Sequence, residues 1–241
     1  MCVIYFALNT HNDYPLILLA NRDEFYARPT QAAGYWSDFP SIYGGRDLQA
    51  GGTWLGVTDE GRVAAVTNYR DPSAPTGSRT RGDLVADFLK SEISAREYLE
   101  TIEARSHEYS GFNLLVGEFS DARREIHYYS NRGRAQRDLI AGIYGLSNHL
   151  LNTPWPKVAN GKARLTQLLK DDTIEKESLF ELLADETLAD DEALPATGIP
   201  FHLEKELSAI NIKTPCYGTR CSTVLTFDPD LNWDLEERIF V

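Results

Sequence analysis

The 241-residue sequence has few cysteines and lacks long hydrophobic runs. Its three cysteines, Cys2, Cys216 and Cys221, are too few and too unevenly spaced for a disulfide framework, and their spacing fits no zinc motif. The longest apolar run, residues 2–8, is far shorter than the ~18 residues needed to cross a bilayer, and no basic segment of a secretory signal precedes it. We therefore expect a cytoplasmic protein with reduced thiols and no integral membrane contact.

Basic residues are also scarce: 24 Lys and Arg stand against 36 Asp and Glu, which leaves a net charge of −12. Because this charge repels polyanions, no nucleic-acid partner is expected. The 42% of hydrophobic residues is typical of an ordinary globular protein. Domains of this layered kind often reach such a length undivided, so we predict one domain over residues 1–241.

Apolar runs rich in β-branched and aromatic residues predict three hairpins and further strands between them. The predicted strands cover residues 2–9, 16–20, 53–58, 62–68, 112–119, 125–130, 139–146, 222–227 and 233–240. Helical spacing predicts helices over residues 83–90, 97–105, 158–169 and 179–183, the second opened by a Ser94–Glu97 capping box.

The remaining segments are predicted as turns and loops. Two glycine pairs, Gly44-Gly45 and Gly51-Gly52, indicate tight turns, and residues 70–82 form a long exposed loop that we interpret as functional. The acidic stretch at 185–192 is a solvated loop. The first two strands lack an alternating pattern, which indicates burial on both faces and hence several layers of sheet and helix.

Cys2 is the most informative residue for function. Removal of Met1 is favoured when the next side chain is small, so the mature chain could begin with a cysteine that carries a free α-amine. That amine can act as general base for its own thiol, as in an N-terminal nucleophile. The alternative is a small buried side chain that merely begins a strand.

The tetrapeptide Asn21-Arg22-Asp23-Glu24 follows the second predicted strand directly. Unpaired charges near a core cost several kcal/mol, so this segment needs a physical reason. In one interpretation a salt-bridge network pins the strand end. In the other, the hairpin places Arg22 beside the Cys2 thiol and lowers the pKa of that thiol, while an acidic neighbour fixes the guanidinium or the amine.

Three motifs in this order resemble a known family. They are Met1-Cys2, Asn21-Arg22-Asp23-Glu24, and Tyr217-Gly218-Thr219-Arg220 followed by Ser222-Thr223-Val224. The sequence resembles the NRDE family, also called the Transport and Golgi Organization protein 2 family, over nearly its whole length. That family is similar to the N-terminal nucleophile (Ntn) hydrolases. The resemblance implies an α+β fold, a four-layer αββα sandwich of two stacked, mainly antiparallel sheets flanked by helices.

The resemblance to cysteine-type amidases of the bile-salt hydrolase and penicillin V acylase group also implies a site. Asn68 and Asn148 would supply oxyanion-hole amides, and Arg220 would be the late arginine near the nucleophile. Those amidases carry an acidic residue a few positions after the arginine, whereas here Asp23 and Glu24 follow it at once, so either could contact the amine. From the residues alone, the two asparagines are turn or strand-end caps.

Two functions follow from the resemblance. In the first, Cys2 attacks a non-peptide amide while its own amine moves the proton, Asn68 and Asn148 hold the oxyanion, and Arg22, Asp23 and Arg220 tune the site. The second is a binding or trafficking protein for haem, lipid or acyl-CoA on the same fold, without turnover. Neither a cofactor nor a metal site is expected, since the five histidines are scattered and the cysteines lack a ligand pair.

Overall fold

The structure, a computed structural model, describes residues 2–133 and 138–241. Its strands are β1 (Cys2–Leu8), β2 (Leu16–Phe25), β3 (Thr30–Tyr35), β4 (Ile42–Asp47), β5 (Leu55–Thr58), β6 (Arg62–Asn68), β7 (Phe112–Ser120), β8 (Arg123–Ser130), β9 (Gly142–Leu146), β10 (Tyr217–Phe227) and β11 (Trp233–Ile239). Its α-helices are α1 (Gly82–Lys90), α2 (Ala95–Ala104), α3 (Pro156–Lys170), α4 (Lys176–Leu183) and α5 (Phe201–Glu206).

The strands form two antiparallel sheets that pack face to face. One sheet has the order β11-β10-β2-β1-β9 and the other the order β3-β4-β5-β6-β7-β8. Helices α3 and α4 cover the outer face of the first sheet, and α1 and α2 cover the second, so three apolar cores separate four layers. The predicted αββα sandwich is confirmed.

The first hairpin is buried on both faces, as its lack of alternation predicts. Strand β1 sends Ile4 and Phe6 into the core between the sheets and Val3 and Tyr5 towards the helices. In the register of β1 and β2, Cys2 lies opposite Arg22. Even-numbered residues at this end of the hairpin therefore face the second sheet, because side chains alternate along a strand.

The prediction that Asn21-Arg22-Asp23-Glu24 follows the strand is wrong, since β2 continues to Phe25 and pairs with β10 throughout. The polar side chains find partners on both faces. Asn21 Nδ2 donates to the carbonyls of Leu183 and Ile210, and the Thr219 hydroxyl donates to Asp23. A strand can carry such residues into a buried layer when each polar group is paired there.

Two strands escaped prediction, and one glycine pair was misassigned. Strands β3 and β4 carry few large apolar side chains, and β3 is an edge strand with exposed residues. Gly44-Gly45 lies inside β4 rather than in a turn, whereas Gly51 does occupy a turn, with a φ of +80°. The short helix α5 was also missed, and the strand predicted over 139–146 begins only at Gly142.

The predicted helices are present, and the ends of α2 follow its sequence signals. Ser94 accepts a hydrogen bond from the Glu97 backbone while the Glu97 side chain accepts one from the Ser94 backbone, so the capping box is confirmed. In the described part of the chain, no helix combines the length and apolar character needed to cross a membrane.

Two glycines allow close packing near one end of the sandwich. A Cβ atom at Gly45 would overlap the Trp54 ring, so the indole packs against β4 only because this side chain is absent. A Cβ atom at Gly52 would lie 2.5 Å from the backbone of Gly82. The segment before β5 and the start of α1 can therefore touch, which brings the loop before α1 over the strand ends.

We expect Gly45→Ala to lower the free energy of unfolding by about 1–3 kcal/mol, because the added methyl group overpacks the site and displaces Trp54. Urea unfolding of the parent and the variant measures this change. Gly34→Ala is the matched control, since a Cβ there meets nothing within 4 Å. Equal losses in both variants would contradict the proposed contact.

Candidate active site

A cavity of ≈ 220 Å³ opens where the two sheets end beside Cys2. Its walls come from the start of β1, the end of β2, the segment before β5, the end of β6 and the predicted loop before α1. Of the predicted site residues, the structure brings four to the lining: Cys2, Arg22, Asp23 and Asn68. Asn148 and Arg220 lie outside it.

The Cys2 thiol is half-buried and free of any disulfide. Burial raises the pKa of this thiol, the Asp23 carboxylate adds to the rise, and Arg22 and a hydrogen bond from the Asp23 backbone oppose it. Arg22 does lie beside the thiol, but its effect does not prevail over burial. The expected low thiol pKa is therefore wrong for this arrangement, and deprotonation needs a base.

Arg22 is held by neutral partners between the two sheets. Its Nη1 donates to the Thr30 hydroxyl at 2.7 Å, and its guanidinium stacks 4.0 Å from the centre of the Trp54 ring. The residue is only 5% exposed. Buried cation–π contacts of this kind contribute about 2 kcal/mol. Among the described residues, no carboxylate oxygen lies within 4.0 Å of the Arg22 guanidinium, which lies beside the thiol.

The two candidate carboxylates occupy different places. Asp23 faces the helices, is 1% exposed and accepts a 2.7 Å hydrogen bond from Thr219 Oγ1. Burial raises the pKa of Asp23, and Lys157 opposes that rise. Glu24 lines the cavity, where its Oε1 accepts from the Phe25 backbone. Asp23 is therefore the carboxylate embedded behind the start of β1, and Glu24 the one at the cavity wall.

Sequence reasoning missed Lys157, near the start of α3. It is 3% exposed, and its Nζ has no hydrogen-bond partner among the described residues. Burial lowers the pKa of Lys157 to about 8, while Asp23 acts in the opposite direction. A lone lysine far along the chain gives no signal, because lysines are seldom buried.

Asn68 and Asn148 are adjacent but placed differently. Asn68 ends β6 and lines the cavity. Asn148 is fully buried, and its Nδ2 donates to the Asn68 carbonyl at 3.0 Å. Its carbonyl accepts from the Arg70 backbone, so it fixes the end of β6. The structure places Asn148 beneath Asn68 rather than at the cavity surface.

Arg220 is buried and turned away from the cavity. Its guanidinium donates to the carbonyls of Phe25 and Arg28 and to the backbone oxygen of Val241, at distances between 2.6 and 3.1 Å. It therefore secures the turn that carries Arg28 to the cavity wall. Arg28 itself contacts Asp47 at 2.6 Å.

Arg81 also lines the cavity and was missed by sequence reasoning. The signal that could have found it is the presence of Arg70, Arg79 and Arg81 in one loop of an acidic chain. Within the described residues, no group of three His, Cys, Asp or Glu is arranged to hold a metal ion. The chemistry available here is that of a thiol, a carboxamide donor and guanidinium groups.

Comparison with known proteins relates this arrangement to a family. The family model described as Transport and Golgi organisation 2 matches residues 1–241. The chain belongs to this family. Its relatives include the Transport and Golgi organization protein 2 homologs of Bos taurus, 39% identical over 255 residues, and of Homo sapiens, 36% identical. Each alignment covers 99% of this chain and 92% of the relative, so the resemblance inferred from the three motifs is confirmed.

Among solved structures, the chain resembles the N-acylethanolamine-hydrolyzing acid amidase ortholog of Caenorhabditis elegans. The TM-score is 0.51 at 14% identity, and the match covers 95% of this chain and 94% of the other. At this identity the likeness concerns the fold alone. The chain thus shares the layered fold of that amidase ortholog.

The buried lysine gives a pH-dependent prediction for stability. Between pH 8 and 10.4 the unfolded chain binds the Lys157 proton and the folded chain largely does not, so stability rises with pH by up to about 1.4 kcal/mol per unit. Lys157→Met removes this contribution. In urea unfolding at several pH values, its free energy of unfolding relative to the parent should therefore fall as pH increases.

Lys170→Met, at an exposed position on the same helix, is the control. Its free energy of unfolding should change with pH in the same way as that of the parent. If the free energy of unfolding of Lys157→Met also changed with pH as that of the parent does, Lys157 would be charged in the folded protein over this whole pH range.

Proposed function

We propose that the chain is an Ntn-type cysteine amidohydrolase that cleaves a non-peptide carbon–nitrogen bond, with Cys2 as the nucleophile. The observation that carries the proposal is the position of the Cys2 thiol in the cavity, across the strand pair from Arg22 and on the same lining as Asn68. A nucleophile, a fixed cation and an amide donor around one space are the groups that acyl transfer requires.

The proposed reaction needs Met1 to be removed. Because burial raises the pKa of the Cys2 thiol, a base must take its proton, and the α-amine of a chain beginning at Cys2 is within the same residue. The sulfur then attacks the amide carbon, and the protonated amine returns the proton to the departing nitrogen as the C–N bond breaks. Water hydrolyses the resulting thioester and releases the acid and the free thiol.

The surrounding residues take distinct roles in this scheme. Asn68 donates to the oxyanion, and Arg22, held by Thr30 and Trp54, stabilises the thiolate. Asn148 acts through Asn68, whose carbonyl it holds, and Arg220 acts through the turn that carries Arg28. We assign the contact with the α-amine to Asp23 rather than Glu24, because Asp23 is embedded behind the beginning of β1 and its backbone bonds the thiol.

A Cys216→Ser background tests the nucleophile, since it removes the exposed thiol and leaves buried Cys221 and half-buried Cys2. The chain beginning at Cys2, released from a cleavable fusion, should be alkylated by iodoacetamide at neutral pH and should hydrolyse N-octanoyl amides. Cys2→Ala should abolish both. Peptide mapping, intact mass and release of octanoic acid are the measurements.

The same chain with Met1 retained is the matched control, and we expect slow labelling and no turnover because its α-amine is one residue away. Equal labelling of Cys2 in both forms, together with no hydrolysis by either, would contradict the proposed nucleophile.

Asn68→Ala should lower kcat by about 10²–10³-fold with little change in KM, since an oxyanion-hole donor acts mainly in the transition state. Steady-state hydrolysis of the N-octanoyl amides gives both constants, and circular dichroism checks the fold. An effect confined to KM would assign Asn68 to substrate binding instead.

A binding protein for haem, lipid or acyl-CoA without turnover is the second candidate. The observation that favours it is the raised pKa of the Cys2 thiol, which leaves the thiol protonated at neutral pH unless a base is added. This function would be supported if the chain bound haem or octanoyl-CoA saturably with a Kd below about 10 μM and hydrolysed no amide. Such a Kd corresponds to a binding free energy of roughly −7 kcal/mol.

A further inference from the structure

The cavity beside Cys2 has a charge pattern unlike that of the chain as a whole. The protein carries a net charge of −12, yet arginines outnumber carboxylates on the cavity lining. The charged lining residues are Arg22, Arg28, Arg79 and Arg81 against Asp23, Glu24 and Asp47.

The carboxylates on this lining are already engaged. Asp47 contacts Arg28 at 2.6 Å, and Glu24 lies 4.0 Å from the same guanidinium. The Asp23 side chain points to the helical side of the sheet, where Thr219 donates to it. Asp23 and Asp47 therefore have other partners, and Glu24 acts on Arg81 electrostatically from more than 4.0 Å away.

Arg81 lies on the wall formed by the loop before α1, and Arg22 lies beside the thiol. Within residues 2–133 and 138–241 no carboxylate oxygen comes within 4.0 Å of either guanidinium. Arg81 Nη1 donates to the Gly111 carbonyl at 3.2 Å, and the side chain lines the cavity. Arg79, by contrast, has Asp83, Asp87 and Glu108 within 3.9 Å.

The position of Arg81 is built into the fold. The backbones of Gly52 and Gly82 touch, which fixes the residue before Gly82 against the segment that carries Trp54. Burial lowers the pKa of the Arg81 guanidinium, whereas the Cys2 thiol and the Glu24 carboxylate are near enough to act in the opposite direction. A half-buried cation that no carboxylate of the described residues contacts, close to the nucleophile, is a site for an anion that arrives with the substrate.

We propose that Arg81 forms a binding subsite for a carboxylate or phosphate group of the ligand. The amide cleaved at Cys2 then carries such a group, which binds this guanidinium. Arg22 serves the thiol and Arg81 the permanent charge of the ligand. The volume of ≈ 220 Å³ suits a compact charged head, with any acyl chain leaving through the open mouth. That the ligand is an amide rests on the proposed function. That the ligand carries a negative charge is argued from the cavity alone.

Calorimetric titration of the full-length Cys2→Ala variant tests the subsite without turnover. The probes are N-octanoylglycine, the phosphate ester of N-octanoylethanolamine, and neutral N-octanoylethanolamine. We expect an anionic probe to bind at least about tenfold more tightly than the neutral one, and the tighter of the two anions identifies the preferred group. Adding Arg81→Met should bring the ratio of the anionic to the neutral probe's affinity close to one. Arg81→Lys should retain part of the preference for the anionic probe.

Arg96→Met is the control, because Arg96 is exposed on α2 and should leave the ratio unchanged. If Arg81→Met does not fold by circular dichroism, Arg81→Lys and a salt series from about 50 to 500 mM on the Cys2→Ala protein decide the question, since screening should reduce the preference. Equal affinities for charged and neutral probes, an unchanged ratio in the folded Arg81 variants, or no binding by any probe would overturn the subsite.

The two proposals fail separately. Anion-selective binding by a chain that, begun at Cys2, hydrolyses none of these amides would remove the amidohydrolase and keep the subsite. Hydrolysis of charged and neutral amides with equal kcat/KM would keep the enzyme and remove the subsite.

Discussion

The stacking of the Arg22 guanidinium on Trp54 joins the two sheets at the point where the cavity opens. Arg22 belongs to β2 of one sheet, whereas Trp54 leads into β5 of the other, and Gly45 leaves the space that the indole ring occupies. Because Arg22 pairs with Cys2 across the hairpin, this one contact sets both the spacing of the sheets and the surroundings of the thiol. The rest of the cavity is arranged around it.

Local patterns in the sequence were enough to predict much of the sandwich. The unbroken apolar runs of β1 and β2 indicated burial on both faces, and the Ser94–Glu97 box marked the start of α2. Strands β3 and β4 were not predicted because they carry few large apolar side chains; they form by pairing with each other and with β5. The continuation of β2 through Arg22 likewise depends on partners in other elements, which no local pattern contains.

The site divides in the same way. The hairpin places Cys2 near Arg22 by simple register, which a sequence can indicate. Which face Asp23 occupies, whether Asn148 reaches the cavity, and where Lys157 lies depend on how layers pack. The pKa of the Cys2 thiol also depends on packing, since burial raises this pKa by more than the neighbouring Arg22 lowers it. Proximity could be predicted from the chain, but the balance between desolvation and attraction could not.

The bond from Asn148 to the Asn68 carbonyl, with the return bond from the Arg70 backbone to Asn148, links the ends of strands that belong to opposite sheets. The Cys2 thiol is carried by one sheet, and Asn68, on the same cavity lining, is carried by the other. Any sliding of one layer over its partner changes the gap between these two groups. Substitutions in the distant inter-layer core can therefore change the shape of the cavity through this crosslink in a molecule that still folds.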